Sequence, residues 1–388
     1  MAIDARVSKK AAAMTLIAAA AVSLTSIPAA AHDSTSRQPA AAGTGVQAVA
    51  APGTPRLPGG LSALSWMVAD ADTGSVLAAK NAHRKLPPAS TLKTLFAVTV
   101  LPKFSAGAVR RVSSADLAGI GSGSSVVGVK EGRRYSVADL WRGVFLRSGN
   151  DAVHVLAAMN GGWRTTAQEM QETAAKLGAR DTTVKSPDGY DAPGQVSSAY
   201  DLTVFARAGL VNDDFARYCA TTRAAFPGGG TTMIENTNRI LVGSHGLSRY
   251  PGIIGVKNGY TSKAGNTLIA AARRNGRTLL VTVLNPQSNE NNAVYKEAGS
   301  LLDWGFDTAG KTQPVGTLHA VRTSYEGGAP LHPAAAEVTG AEARGGPPRR
   351  STLVLGAGSA CVAALGLGAL LGRWRQARGR RGQGRGAV

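Results

Sequence analysis

Ser90 and Lys93 stand three residues apart in "PPASTLKTLF" (residues 87–96), inside an apolar run. On a helix this spacing puts two side chains on one face, with Cβ atoms roughly 5–6 Å apart. A serine hydroxyl is a poor nucleophile at neutral pH and needs an adjacent base. Lysine serves as that base only when partly unprotonated, a state favoured by burial and by a second cation nearby. The spacing alone is more often an ordinary capping serine beside a lysine that snorkels to solvent. The chemistry therefore turns on what else the chain brings to the pair.

Two later motifs qualify. "LRSGNDAV" places Ser148, Gly149 and Asn150 in a loop before an alanine-rich helix. "GVKNGYT" places Lys257, Asn258 and Gly259 on a late strand, because alternation continues through Tyr260 and Thr261 instead of turning at Asn-Gly. Read one at a time, S-G-N is a turn and K-N-G is a hairpin corner or a strand.

In this order and spacing the three motifs resemble the S-x-x-K, S-x-N and K-T-G set of the penicillin-recognising serine acyltransferases. The resemblance is closest to the D-alanyl-D-alanine carboxypeptidases among the low-molecular-mass penicillin-binding proteins. It covers about residues 62–308, through "DADTGSVLAAKNAHRKLPPASTLK", "YSVADLWRGVFLRSGNDAV", "SPDGYDAPGQVSSAYDL", "NTN" at 236–238 and "GVKNGYTSKAGNT". It implies an α+β, β-lactamase/DD-peptidase-like fold, with an antiparallel sheet packed with helices and a mostly helical subdomain. The implied activity is removal of the terminal D-alanine from peptidoglycan stem peptides through an acyl-enzyme on Ser90. β-Lactams are the expected covalent inhibitors, and neither metal nor cofactor is required.

The resemblance also implies roles. Lys93 accepts the Ser90 proton, Lys257 is the second cation, and Ser148 relays a proton to the departing amine. Asn150 holds Lys93 and the substrate amide. The oxyanion is met by the backbone N–H groups of Ser90 and Tyr260, at a helix N-terminus. Lys257, with Asn258 or Thr261 beside Gly259, faces the substrate's terminal carboxylate. Asn258 departs from the usual threonine; its amide can still donate a hydrogen bond, with different geometry. No E-x-x-L-N segment supplies a deacylating glutamate of the class A β-lactamase kind, so fast penicillin hydrolysis is not expected. A DD-endopeptidase shares every residue named, and a non-catalytic penicillin-binding wall scaffold retains the fold; both alternatives stay open at the level of sequence.

These groups need elements to position them. Prolines 87 and 88 close a loop, Ser90 suits an N-cap or first turn, and Leu92, Leu95, Phe96, Val98 and Leu101 make a buried helix that stops at Pro102. A hairpin is expected around Asp72-Thr73-Gly74, and helices in "SVADLWRGVFLRS" and "TTAQEMQETAAKLGA". Three strands are expected in residues 252–285, with turns at 263–265 and 275–276, then a helix in "ENNAVYKEAGSLLDWGF". Strands early and late with helices between require one domain, whose first hairpin joins the last strands in a shared antiparallel sheet.

The ends read as addresses. Residues 1–31 carry Arg6, Lys9 and Lys10 ahead of an apolar stretch and Ala29-Ala30-Ala31, which fits an export signal. Residues 32–60 read as a flexible tether, 61–310 as the catalytic domain, and 311–350 as an end strand and low-complexity linker. Residues 351–372 are 22 uncharged residues followed by six arginines in 373–388. That pattern suits a single membrane helix with a basic cytoplasmic tail and everything before it exported. Without the two ends, 34 Lys/Arg face 23 Asp/Glu. The excess is spread along the chain without the block that marks a nucleic-acid partner. Only Cys219 and Cys361 occur, and the second falls in the span, so no internal disulfide is expected.

Two decoys fall away. "GFDTAGKT" (305–312) matches the letters of a nucleotide-binding loop, but a helical pattern precedes it and Gln313-Pro314 follows, where that loop needs a strand before and a helix after. The six histidines show no H-E-x-x-H pattern for a zinc peptidase.

Overall fold

The computed structural model describes residues 43–49, 52–228 and 230–319. The expected export signal, most of the linker to residue 350, the membrane span and the basic tail lie outside the described residues.

The described chain begins with strands β1 (Val46–Ala48), β2 (Ser65–Asp70) and β3 (Ser75–Lys80), and continues through a short 3-10 turn (Ala89–Leu92) into helix α1 (Lys93–Val100). A small hairpin, β4 (Val109–Arg111) and β5 (Arg134–Ser136), leads to α2 (Val137–Arg147), α3 (Asn150–Met159), α4 (Trp163–Lys176), α5 (Ala199–Leu210) and α6 (Asp213–Ala220). A second hairpin, β6 (Arg223–Pro227) and β7 (Thr231–Glu235), and α7 (Arg239–Val242) precede the late strands β8 (Ile253–Thr261), β9 (Gly265–Arg274) and β10 (Arg277–Leu284). Helix α8 (Ala293–Thr308) and β11 (Gly316–Thr317) follow.

The main sheet runs β1-β3-β2-β10-β9-β8, with β11 also on β3, and every pairing is antiparallel. The early hairpin thus joins the late strands through β2 and β10, with Val68 opposite Val281. Both sheet faces are covered. Trp66, Val68, Leu268, Ala270, Val281 and Val283 point into the cluster under α8, while Met67, Ala69, Ile269, Ala271 and Leu280 point into the larger cluster under α1 to α6. Side chains alternate faces along a strand, and a sheet buried on both sides reads as continuous apolar runs, as in "SWMVAD". This is the α+β architecture of a sheet layered with helices on both sides.

Three local features sharpen or correct the sequence reading. Within the stretch read as a tether, β1 pairs with β3, Pro55 accepts a hydrogen bond from the Trp304 indole, and Leu57 packs on the α8 cluster. Main-chain pairing needs no apolar period, so composition conceals it. Of the two places read for Ser90, cap or first turn, it takes the second: it makes no capping hydrogen bond and lies in a 3-10 turn, with α1 starting at Lys93. The S-G-N loop shrinks to Ser148 and Gly149, because Asn150 is already the first residue of α3. Cys219 is a free, buried thiol.

Candidate active site

The site forms where edge strand β8 meets the 3-10 turn and α1. Ser90 lies in that turn, and Lys93, one turn on, reaches back: its Nζ donates to Ser90 Oγ at 2.8 Å and to the Asp188 carbonyl at 2.6 Å. Lys93 is 1% exposed. Burial pulls its amine down to about 8, against the opposing pull of the Asp188 and Asp151 carboxylates. Neither carboxylate lies at ion-pair distance from it among the described residues, and at about 8 the amine is a minority neutral at neutral pH and half neutral one unit above it.

Lys257 on β8 is equally buried and donates to the Asn258 carbonyl at 2.7 Å. Burial and then the charge on Lys93 hold it well below the ordinary lysine range. The sequence reading expects Lys257 to lower Lys93; the repulsion instead bears on Lys257, second to its burial, while Lys93 is lowered by burial.

Ser148 ends α2 in the left-handed region (φ 57°), a conformation that turns the chain sharply into α3 and is reached at some cost by a residue with a Cβ. Its hydroxyl is buried and has no hydrogen-bond partner among the described residues. Asn150 Nδ2 donates to Ser124 Oγ at 3.0 Å, while its Oδ1 is buried and unpartnered. Unpaired buried polar groups cost stability and occur where a ligand is to complete them. Asn150 makes no hydrogen bond to Lys93; the Asp188 carbonyl takes that place.

Along β8 the period of two separates the remaining residues. Gly259 and Thr261 turn to the helical side. A Cβ at Gly259 would stand 2.7 Å from the Ser90 backbone nitrogen, and Thr261 Oγ1 donates to Asp191 Oδ1 at 2.8 Å. Asn258 meets Thr237, whose hydroxyl donates to its Oδ1 at 3.0 Å, and its amide also hydrogen-bonds the Tyr295 hydroxyl. The Tyr260 side chain is 68% exposed.

Of the nine residues singled out from sequence, Ser90, Lys93 and the five of β8 lie where that strand meets the 3-10 turn and α1, while Ser148 and Asn150 adjoin Asp151, whose charge is felt at Lys93. The supports were missed: Asp188 through its carbonyl, Asp191 under Thr261, Ser124 on Asn150, and Thr237 on Asn258. Thr237 also ties back to α2, its N–H donating to the Leu146 carbonyl at 2.9 Å. Asp151 belongs with them. Its carboxylate accepts from the backbone N–H groups of Val127, Gly128 and Val129 at 2.8–2.9 Å, which pins the 124–129 segment beside Asn150. Among the described residues no group of three His, Cys, Asp or Glu side chains could hold a metal ion, and no helix is long and apolar enough to cross a membrane.

The family model for D-alanyl-D-alanine carboxypeptidases matches residues 49–288. A D-alanyl-D-alanine carboxypeptidase of Mycobacterium tuberculosis is 40% identical over 248 residues, covering 63% of this chain and 82% of that protein. DacD of Escherichia coli is 35% identical over 260 residues, covering 64% of each, so just under two thirds of that relative's length is matched. Among solved structures, a D-alanyl-D-alanine carboxypeptidase from Mycobacterium tuberculosis aligns with a TM-score of 0.63 at 38% identity, over 69% of this chain and 98% of that one. A Streptomyces DD-transpeptidase aligns with a TM-score of 0.59 at 27% identity, over 65% and 98%.

Proposed function

The chain belongs to the D-alanyl-D-alanine carboxypeptidase family, and on that premise we propose that it cleaves the terminal D-alanine from peptidoglycan stem peptides through an acyl-enzyme on Ser90. The observation that carries this reading is the buried Lys93 amine at 2.8 Å from Ser90 Oγ. A nucleophile within hydrogen-bond reach of a base whose pKa is lowered toward neutrality is the arrangement that nucleophilic catalysis needs.

In the proposed sequence, neutral Lys93 takes the Ser90 proton as Oγ attacks the carbonyl between the two D-alanines. The tetrahedral oxyanion is met by the N–H groups of Ser90 and Tyr260. Ser148 passes a proton to the leaving amine, D-alanine departs, and water then releases the shortened peptide. Asn150 Oδ1, which lacks a partner, suits the N–H of the substrate amide. Lys257, with the Asn258 amide, faces the terminal carboxylate, and Thr261 joins them only by turning its hydroxyl from Asp191. β-Lactams acylate the same serine. The substrate's backbone lies along the outer edge of β8, which among the described residues pairs only with β9.

The setting belongs to the same proposal: export directed by residues 1–31 and anchorage by residues 351–372, with the catalytic domain on the outer face of the membrane. Its support is the apolar stretch at each end and the arginines of 373–388. The test of activity is release of free D-alanine from a peptide ending in D-Ala-D-Ala, assayed on the full chain and on Ser90→Ala. Release that depends on Ser90 supports the reading, and equal release by both forms refutes it.

A further inference from the structure

Tyr295 of α8 lies in the apolar cluster under that helix, 5% exposed, and no motif in the sequence marks it. Its hydroxyl donates to the Thr237 carbonyl at 3.3 Å. A carbonyl only accepts, so this bond uses the single phenolic proton and leaves the phenol oxygen to accept from a neighbour. That neighbour is the Asn258 side chain, which hydrogen-bonds the same hydroxyl. The end of Asn258 facing Tyr295 must then be its amide nitrogen. Oδ1 turns to Thr237, whose hydroxyl donates to it at 3.0 Å. A main-chain acceptor thus decides, through the phenol, which end of a near-symmetric amide points where.

The phenol is itself held. The Arg239 guanidinium lies 5.7 Å from the Tyr295 ring centroid and donates to Asn292 Oδ1. Asn292 Nδ2 in turn donates to the His245 carbonyl at 2.9 Å. Burial raises the phenol pKa above its ordinary range, against the opposing pull of Arg239, so the hydroxyl keeps the proton it donates at neutral pH. With Oδ1 on Thr237 and one N–H on Tyr295, the half-buried Asn258 has one N–H left to offer. An anion is met by a donor, whereas a neutral carboxamide is matched by either end of an amide.

We infer that Tyr295 is a positioning residue for substrate selection: by accepting one Asn258 N–H while donating to the Thr237 carbonyl, it holds the other N–H toward the substrate's terminus and makes the site select a carboxylate over a neutral terminus. The inference rests on Asn258 meeting that terminus in the reaction proposed above. Phenylalanine at this place removes the acceptor. The Thr237 hydroxyl, a donor and an acceptor, then serves either end of the amide. Asn258 presents its oxygen as readily as its nitrogen, which repels a carboxylate and suits a carboxamide.

The test compares two peptides that end in D-Ala-D-Ala and differ only in a free carboxylate or a carboxamide at the terminus, on the full chain. The parent should favour the carboxylate in kcat/KM. Tyr295→Phe should cut that preference by about tenfold, the scale of one hydrogen bond to a charged group. The loss should fall on KM, with kcat for the carboxylate peptide within about twofold of the parent. In an Asn258→Ala background the same substitution should leave the preference unchanged within about twofold, because its route is gone. Thr237→Val removes the other hydrogen bond to the Asn258 amide; it should also lower the preference, and it serves if Tyr295→Phe does not fold. A preference undiminished in the folded variants, or one that Tyr295→Phe lowers equally with Asn258 absent, overturns the inference. If the parent cleaves neither peptide, the carboxypeptidase reading fails. The ratio of acylation rates by benzylpenicillin and its carboxamide, read by intact mass on the same variants, then decides the role of Tyr295. A folded parent that neither cleaves nor is acylated overturns both.

Discussion

Gly259 and Ser90 approach so closely that a Cβ on the glycine would stand 2.7 Å from the serine's backbone nitrogen, and equally close to Thr267 Oγ1. The first of these atoms is main chain and cannot swing aside. Gly259→Ala should push β8 away from the turn that carries Ser90 and spoil the donors for the oxyanion. Losing one such donor costs about 10²–10³ in rate. We expect penicillin acylation of Ser90 to fall by at least about a hundredfold; a rate within threefold of the parent would contradict the closeness of this seam.

The pH dependence follows from Lys93. Burial lowers its pKa from 10.5 to about 8, and only the neutral amine accepts the Ser90 proton. The rate of acylation by a β-lactam should therefore rise with pH and reach half its plateau near pH 8. A flat profile from pH 6 to 9 would remove Lys93 from the role of base.

Stability carries the same signature with its sign worked out. The folded state binds the Lys93 proton less tightly than the unfolded chain, so this group's contribution to stability rises as pH climbs from about 8 to 10.5. Below pH 8 the folded protein carries a disfavoured charge. Lys93→Met should abolish acylation yet raise thermal stability at pH 7, by on the order of 1–3 kcal/mol depending on how far Lys257 regains its proton. A lower melting temperature than the parent would show that the hydrogen bonds to Ser90 and Asp188 outweigh burial of the charge.

Ser148 separates function from folding in another way. Its buried hydroxyl has no partner among the described residues, so Ser148→Ala forfeits no internal hydrogen bond. Stability should change by less than about 1 kcal/mol. Turnover of a D-Ala-D-Ala peptide should fall about 10²–10⁴-fold through loss of proton relay. Parallel measurement of melting and kcat checks both, and unchanged kcat would sink the relay.

Asn258 stands where related motifs carry threonine. Its Oδ1 is taken by Thr237 and its amide also meets Tyr295, so only the second amide N–H is left for a carboxylate. Asn258→Ala should raise KM for the peptide about tenfold with a smaller change in kcat. An unaltered KM would assign carboxylate binding to Lys257 and Thr261 alone.

The reactive groups were legible because each sits in a short motif whose residue types the chemistry demands. Their order along the chain also matched strand, turn and helix signals, as with the alternation that carried β8 through Thr261. The supports were not legible. Lys93 donates to a carbonyl 95 residues away, and a backbone acceptor leaves no mark in side-chain identity. The same holds for β1, whose pairing with β3 runs through main chain in an alanine- and glycine-rich stretch. Ser90 read as a cap or a first-turn residue, and sequence did not choose between them. The 3-10 turn leaves its hydroxyl to Lys93.

The measurement nearest the central claim is the intact mass of the full chain after incubation with benzylpenicillin, with the adduct mapped by peptide digestion, for the parent and for Ser90→Ala. The account predicts one adduct per chain, carried on Ser90 and absent from the variant. An adduct on another residue, or none on the folded parent, would contradict it.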